Sequence, residues 1–181
     1  MKRFLLVCCS IYISIGSAYG LNAFASPLSC SEKFPDIEII SAKGRSPERL
    51  SRLITQPSVL AFWASWCATC IYELLSLKQF LPDLPAGTRI IAVSIDKDPM
   101  SAKTFARGFA PPLELFFDYN GSSERSLRIN SLPLLYVVGP KLKGATKLAH
   151  KELGLKQVQM ALFECGADES PEGLDQAAFR P

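Results

Sequence analysis

The sequence predicts a layered α/β domain, with helices on both faces of a sheet. Two observations carry this. The run Ile90–Ile95 is apolar at almost every position, the pattern of a strand buried on both faces, so it is expected to be parallel and central. Along the chain, short apolar strand-like runs alternate with segments of helical period, and Pro or Gly marks most of the junctions. That alternation over one domain-sized length selects a sheet with helices on both sides.

The elements follow in order. Residues 26–35 form a polar lead-in, and Asp36–Ser41 alternates well enough for a strand, turned by Lys43-Gly44. Ser46-Pro47-Glu48 reads as a helix start, with Ser46 as N-cap and Pro47 at the first helical position. Leu50, Leu53 and Ile54 are its apolar side, and Gln56-Pro57-Ser58 ends it. Val59–Trp63 is a strand. From Ile71 the period changes, with Leu74, Leu75, Leu77 and Leu81 at helical spacing until Pro82 and Pro85. The central strand, Thr88–Ile95, comes next. Asp96-Lys97-Asp98-Pro99 leads into a helix over 100–109, which Pro111-Pro112 breaks. A strand at Leu113–Phe117, a turn at Asp118–Gly121 and a short helix at Ser122–Arg128 follow. Leu134–Val138 is a strand entered directly from Pro133. Gly139–Gly144 is a hairpin-like connection to a return strand, Ala145–His150, and an amphipathic helix over Leu153–Cys165 closes the domain.

Both ends differ from this body. Met1-Lys2-Arg3 is a basic start, Phe4–Ile15 is apolar, and Ala23-Phe24-Ala25 offers a small-x-small cleavage site. Residues 1–25 therefore read as a signal peptide, or alternatively as an uncleaved anchor over Phe4–Ala25. Either reading puts residues 26–166, the domain, outside the cytoplasmic membrane: periplasmic, or held at the inner membrane with membrane contact only in the second case. Residues 167–181 are an acidic, Gly/Pro-containing tail, expected to be loose. A net charge of +3 with 48% hydrophobic residues argues against a nucleic-acid partner. Of six cysteines, Cys8 and Cys9 belong to the leader. Cys30, Cys67, Cys70 and Cys165 remain, an even number that permits two disulfides in an oxidising compartment.

Chemistry concentrates at Phe62-Trp63-Ala64-Ser65-Trp66-Cys67-Ala68-Thr69-Cys70, where a strand turns straight into a helix. Cys67 and Cys70 then lie in the first turn, where unpaired N–H groups and the positive end of the dipole favour a thiolate. A second thiol three residues on can close a disulfide with the first. A structural disulfide or half a metal site is the other reading. However, zinc needs about four ligands, and the chain has one His and no second C-x-x-C.

The stretch from Phe62 to Cys70 resembles the active-site signature of thioredoxin-fold oxidoreductases. Val93-Ser94-Ile95-Asp96 resembles the strand that follows the cysteine helix in extracytoplasmic members, and Ser131–Val138 resembles the cis-proline strand. The likeness runs from about Phe34 to Phe163. It implies a thioredoxin-like fold: α/β, a central mixed sheet with helices on both faces. Where cytoplasmic thioredoxin has a buried Asp, six residues before the first cysteine, this chain has Ala61. Where the TlpA, ResA and CcmG (DsbE) type has a Glu, six residues after it, this chain has Glu73. Leu134 replaces the usual polar residue after the cis-proline, and Ala68-Thr69 lacks the proline of many members.

The resemblance to that type implies an extracytoplasmic thiol–disulfide oxidoreductase, working mainly as a reductant, with no cofactor or metal. Its clients would be disulfide-containing proteins, apocytochromes among them, and its electrons would come from a membrane donor of the DsbD/CcdA type. Cys67 is the expected nucleophile, Cys70 the resolving thiol and Glu73 the proton acceptor for Cys70; an ordinary surface Glu is the plainer alternative. Trp66, Leu132 and Pro133 are the expected client rest, Leu132 offering backbone for strand pairing with an extended segment, and Trp63 is core. Cys30 and Cys165 can form a structural disulfide tying the lead-in to the closing helix, or stay free. His150 is read as surface or structural, although a copper chaperone or adaptor would give it a ligand's role, and an oxidant or isomerase would run the same chemistry the other way. Lys141, Lys143, Lys147 and Lys151 read as a solvated face.

Overall fold

The computed structural model describes residues 29–44, 46–108, 112–149 and 153–166. Residues 1–25, read above as a signal peptide or anchor, the expected tail 167–181, His150 and Lys151 lie outside the described residues.

Seven strands form one mixed sheet. They are β1 (Glu38–Ser41), β2 (Pro47–Arg49), β3 (Ser58–Trp63), β4 (Arg89–Ser94), β5 (Glu114–Phe117), β6 (Leu134–Val138) and β7 (Ala145–Leu148). Their order is β2-β1-β5-β4-β3-β6-β7, so β4 is central. It runs parallel to β3 and β5, whereas β1, β2, β6 and β7 are joined antiparallel. The helices are α1 (Leu50–Leu53), α2 (Ala68–Phe80), α3 (Pro99–Phe105), α4 (Ser122–Leu127) and α5 (Leu155–Gly166).

The two-residue period of β3 sorts its side chains between two cores. Val59, Ala61 and Trp63 pack with Ile90 and Ala92 of β4 against Leu74 and Leu77 of α2, Ala102 of α3 and Val158, Ala161 and Leu162 of α5. Leu60 and Phe62 pack on the other side with Ile91 and Val93 against Leu50 of α1 and Ile54, with Leu127 of α4 at the edge. Helices therefore cover both faces. Each large side chain taken fully out of water, such as Phe62 or Leu60, contributes roughly 1.5–3 kcal/mol. On α2 the buried stripe is Cys70, Leu74 and Leu77, while Leu75 falls off it and stays partly exposed.

Two elements depart from expectation. Pro47-Glu48-Arg49 is a strand, not the first turn of a helix, and Ser46 caps nothing: Arg49 occupies the cap position of α1 and its side chain makes no capping bond. The edge of β1 supplies the reason. Glu38 pairs with Arg49 and Ile40 with Pro47, and an Arg49–Glu38 ion pair of 3.2 Å crosses the ladder. Proline starts this edge strand, where its missing N–H does least harm. The Asp36 carboxylate accepts from the Ser51 N–H at 3.0 Å and the Ser51 hydroxyl at 2.8 Å, and so orders the start of α1 from outside it. The helix after β4 is also shorter than the sequence suggests: it runs to Phe105 and tightens into a 3₁₀ turn over Ala106–Gly108.

Candidate active site

The β3 strand ends at Trp63, and Ala64–Cys67 forms a turn closed by Cys67 N–H donating to the Ala64 carbonyl at 3.0 Å. Cys67 is the N-cap of α2. Its sulfur accepts from the Cys70 N–H at 3.2 Å, taking one of the donors that a helix start leaves unpaired. Cys67 and Cys70 are joined as a disulfide, with Cα atoms 5.3 Å apart. Cys67 is 7% exposed and Cys70 fully buried, so an incoming group reaches Cys67 first. A reduced Cys67 would face the same N–H and the positive end of a 13-residue helix, both of which stabilise a thiolate.

Around this pair the chain places the remaining expected residues unequally. Trp66 stands out, 72% exposed, while Trp63 is fully buried core. Leu134 of β6 pairs with Phe62, so Pro133 enters the sheet beside the end of β3 from which the turn leaves. Pro133 is buried, Leu132 half-buried, and the peptide bond between them is cis. Glu73 is half-buried on α2, three residues beyond Cys70 and thus on the adjoining part of the helix surface. Ala61 is 1% exposed inside the core. Among the described residues, no group of three or more His, Cys, Asp or Glu is placed to hold a metal ion.

Two residues here are not announced by the motif. The Thr69 hydroxyl lies 3.5 Å from the Cys67 sulfur. The nearly buried Asp96, just past β4, accepts from the Ser65 N–H at 2.9 and 3.1 Å and from the Ser65 hydroxyl at 2.7 Å. A polar pair, Ser65 and Asp96, flanking two core strands was the available signal; their meeting across 31 positions was not readable from sequence. Beside the turn, a groove of about 530 Å³ is lined by Ser65, Trp66, Asp98, Met100, Thr104 and Phe105. Trp66, Met100 and Phe105 are large apolar side chains left 72%, 62% and 49% exposed there. Asp98 caps α3, and hydrogen bonds from the Ser101 hydroxyl and the Met100 N–H hold its carboxyl below the ordinary range.

The second pair, Cys30 and Cys165, is also bonded, across 135 positions, with Cα atoms 5.0 Å apart. It ties the lead-in to the last turn of α5, against the connection between β6 and β7.

A cysteine pair capping a helix that leaves the centre of a mixed sheet, with a cis-proline strand alongside, defines a thioredoxin-like fold built around a redox-type turn. The chain belongs to the AhpC/TSA family, whose profile matches residues 30–143. It is 27% identical over 97 residues to the thiol-disulfide oxidoreductase ResA of Oceanobacillus iheyensis, an alignment covering 53% of this chain and 50% of that protein. The chain thus spans about half the length of that curated relative. Among solved structures it resembles a thio-disulfide isomerase from Thermus thermophilus (TM-score 0.61, 23% identity, covering 75% of this chain and 96% of that one). It also resembles a secreted disulfide oxidoreductase of Mycobacterium tuberculosis described as homologous to DsbE (TM-score 0.57, 18% identity, covering 70% and 94%). These structural likenesses establish the fold.

Proposed function

We propose that this protein is an extracytoplasmic thiol–disulfide oxidoreductase that reduces disulfides of client proteins. The observation that carries the reading is the Cys67–Cys70 pair at the N-terminus of α2, with Cys67 retaining a little exposure and Cys70 none. In the reduced state the Cys67 thiolate attacks a client disulfide. The client S–S bond breaks, one client sulfur leaves as a thiolate and takes a proton from water, and a Cys67–client mixed disulfide forms. Cys70, losing its proton to Glu73, then attacks the Cys67 sulfur and expels the second client thiolate. Two electrons have passed to the client, and the protein is left with the Cys67–Cys70 disulfide.

Trp66, Leu132 and Pro133 form the client rest in this reading, and the groove beside Trp66 gives room for apolar client side chains. The ResA relative supports the activity and Glu73 supports the reductive branch. A membrane donor of the DsbD/CcdA type would restore the dithiol, and apocytochrome c is a fitting client class. The leader-like residues 1–25 and the Cys30–Cys165 bond support a place outside the cytoplasm, where disulfides persist.

Trapping tests the reading. Cys70→Ser removes the resolving thiol, so mixed disulfides through Cys67 should accumulate in cells and be identified by mass spectrometry. No adducts, together with no exchange between the purified wild type and glutathione disulfide, would overturn it.

A further inference from the structure

We propose that Asp96 is a positioning residue for the redox turn: through Ser65 it holds Cys67 in place, and its negative charge biases the Cys67–Cys70 pair toward the disulfide. The proposal rests on the oxidoreductase reading and deepens it.

The geometry is specific. Asp96 is 9% exposed, and its carboxylate accepts from three donors: the Ser65 N–H, the Ser65 hydroxyl and the Ser94 hydroxyl, the last at 2.7 Å. The Asp96 N–H in turn donates to the Ser94 hydroxyl at 3.0 Å. A carboxylate is acceptor-only, and charge-assisted bonds of this kind are the stronger sort. Ser94 is the fully buried last residue of β4 and pairs in register with Trp63, the last residue of β3; the Ile95 N–H donates to the Trp63 carbonyl at 2.9 Å. The clamp therefore sits on two rigid strand ends. Ser65 is a central residue of the turn closed by Cys67, so the clamp fixes the segment that delivers Trp66 to solvent and Cys67 to the helix start.

Electrostatics gives the clamp a sign. The helix N-terminus stabilises a Cys67 thiolate. A carboxylate bonded to the residue two before Cys67 works against it, disfavouring the thiolate and hence the reduced pair. A pair biased toward its disulfide is the better electron donor, the direction a reductant needs.

The test uses the full chain with Asp96→Asn and Ser65→Ala. Asp96→Asn keeps the shape and removes the charge. In glutathione buffers its Cys67–Cys70 equilibrium should move toward the dithiol by more than about twofold, because removing a nearby negative charge favours the thiolate. Ser65→Ala keeps the charge and loosens the turn, so the rate of Cys67 alkylation at pH 7 should change by about threefold, the scale of one lost hydrogen bond. A lowered urea midpoint in Asp96→Asn with its glutathione equilibrium within twofold of wild type would reduce Asp96 to a structural role. Should Asp96→Asn not fold, an unchanged alkylation rate in Ser65→Ala overturns the proposal by itself. A wild type that does not exchange with glutathione at all would instead sink the underlying reading, which keeps the two failures apart.

Discussion

The two disulfides are the same bond in opposite surroundings. Cys67–Cys70 spans three positions and closes a loop too small to restrain the unfolded chain, whereas Cys30–Cys165 spans 135 and ties the lead-in to the last helix. The first caps a helix and directly follows the exposed Trp66, which lines an open groove. The second is packed against glycine backbone: a Cβ on Gly144 would collide with the Cys30 carbonyl oxygen and lie 3.0 Å from its sulfur, and one on Gly139 would lie 2.9 Å from the Cys165 carbonyl oxygen. Exposure does not separate the two bonds, since Cys30 is half-buried and Cys67 only 7% exposed; loop length and the helix start under Cys67 do.

The largest effect expected from breaking that contrast is on chemistry. Cys67→Ser should lose disulfide exchange with glutathione to the uncatalysed background, because the attacking thiolate is gone. The double variant Cys30→Ser with Cys165→Ser should keep the wild-type exchange rate. Its deficit should appear in urea unfolding instead, as a loss of about 4–5 kcal/mol by the chain-entropy account of a loop this long. A fall in exchange rate for this folded double variant would show that the second bond also serves the redox turn, and the division of labour would fail.

A smaller change probes the packing behind the second bond. Gly144→Ala puts a methyl group where the Cys30 backbone already sits, and backbone cannot move as a flexible side chain can. The expected cost is about 1–3 kcal/mol in urea unfolding, the usual range for overpacking, with exchange through Cys67 unchanged. A Gly144→Ala protein as stable as wild type would mean that the lead-in yields there.

The same contrast marks how far the sequence could be read. The strand–helix junction around Cys67, the central β4 and the proline before β6 were legible, because apolar runs and punctuation are local signals. Cys30 and Cys165 could be counted but not paired, since only the folded chain sets their separation. Ser46-Pro47-Glu48 carried a sound local signal for a helix start, and the open edge of β1 overrode it by drawing those residues into a ladder. Asp96 was hidden for a related reason. Its neighbours in sequence suggest a loop acid, and its role arises from Ser65, brought close when β3 and β4 pair.

The finest test concerns Thr69, the residue whose hydroxyl approaches the Cys67 sulfur at 3.5 Å. On reduction that hydroxyl can donate to the thiolate, which favours the reduced pair; Asp96 acts in the other direction. Thr69→Val keeps the branched shape and removes the donor. Because Thr69 is exposed, water takes over most of the lost bond, so the effect belongs at the low end of a hydrogen bond's worth, about 0.5 kcal/mol or roughly twofold in the glutathione equilibrium. The shift should be toward the disulfide, opposite in sign to that expected of Asp96→Asn. Opposed signs from one substitution beside the sulfur and one behind the turn that carries it would show that polar groups tune the pair one by one. Shifts of the same sign would mean that both variants act by loosening the turn, and the electrostatic half of the account would then fall while the clamp itself stood.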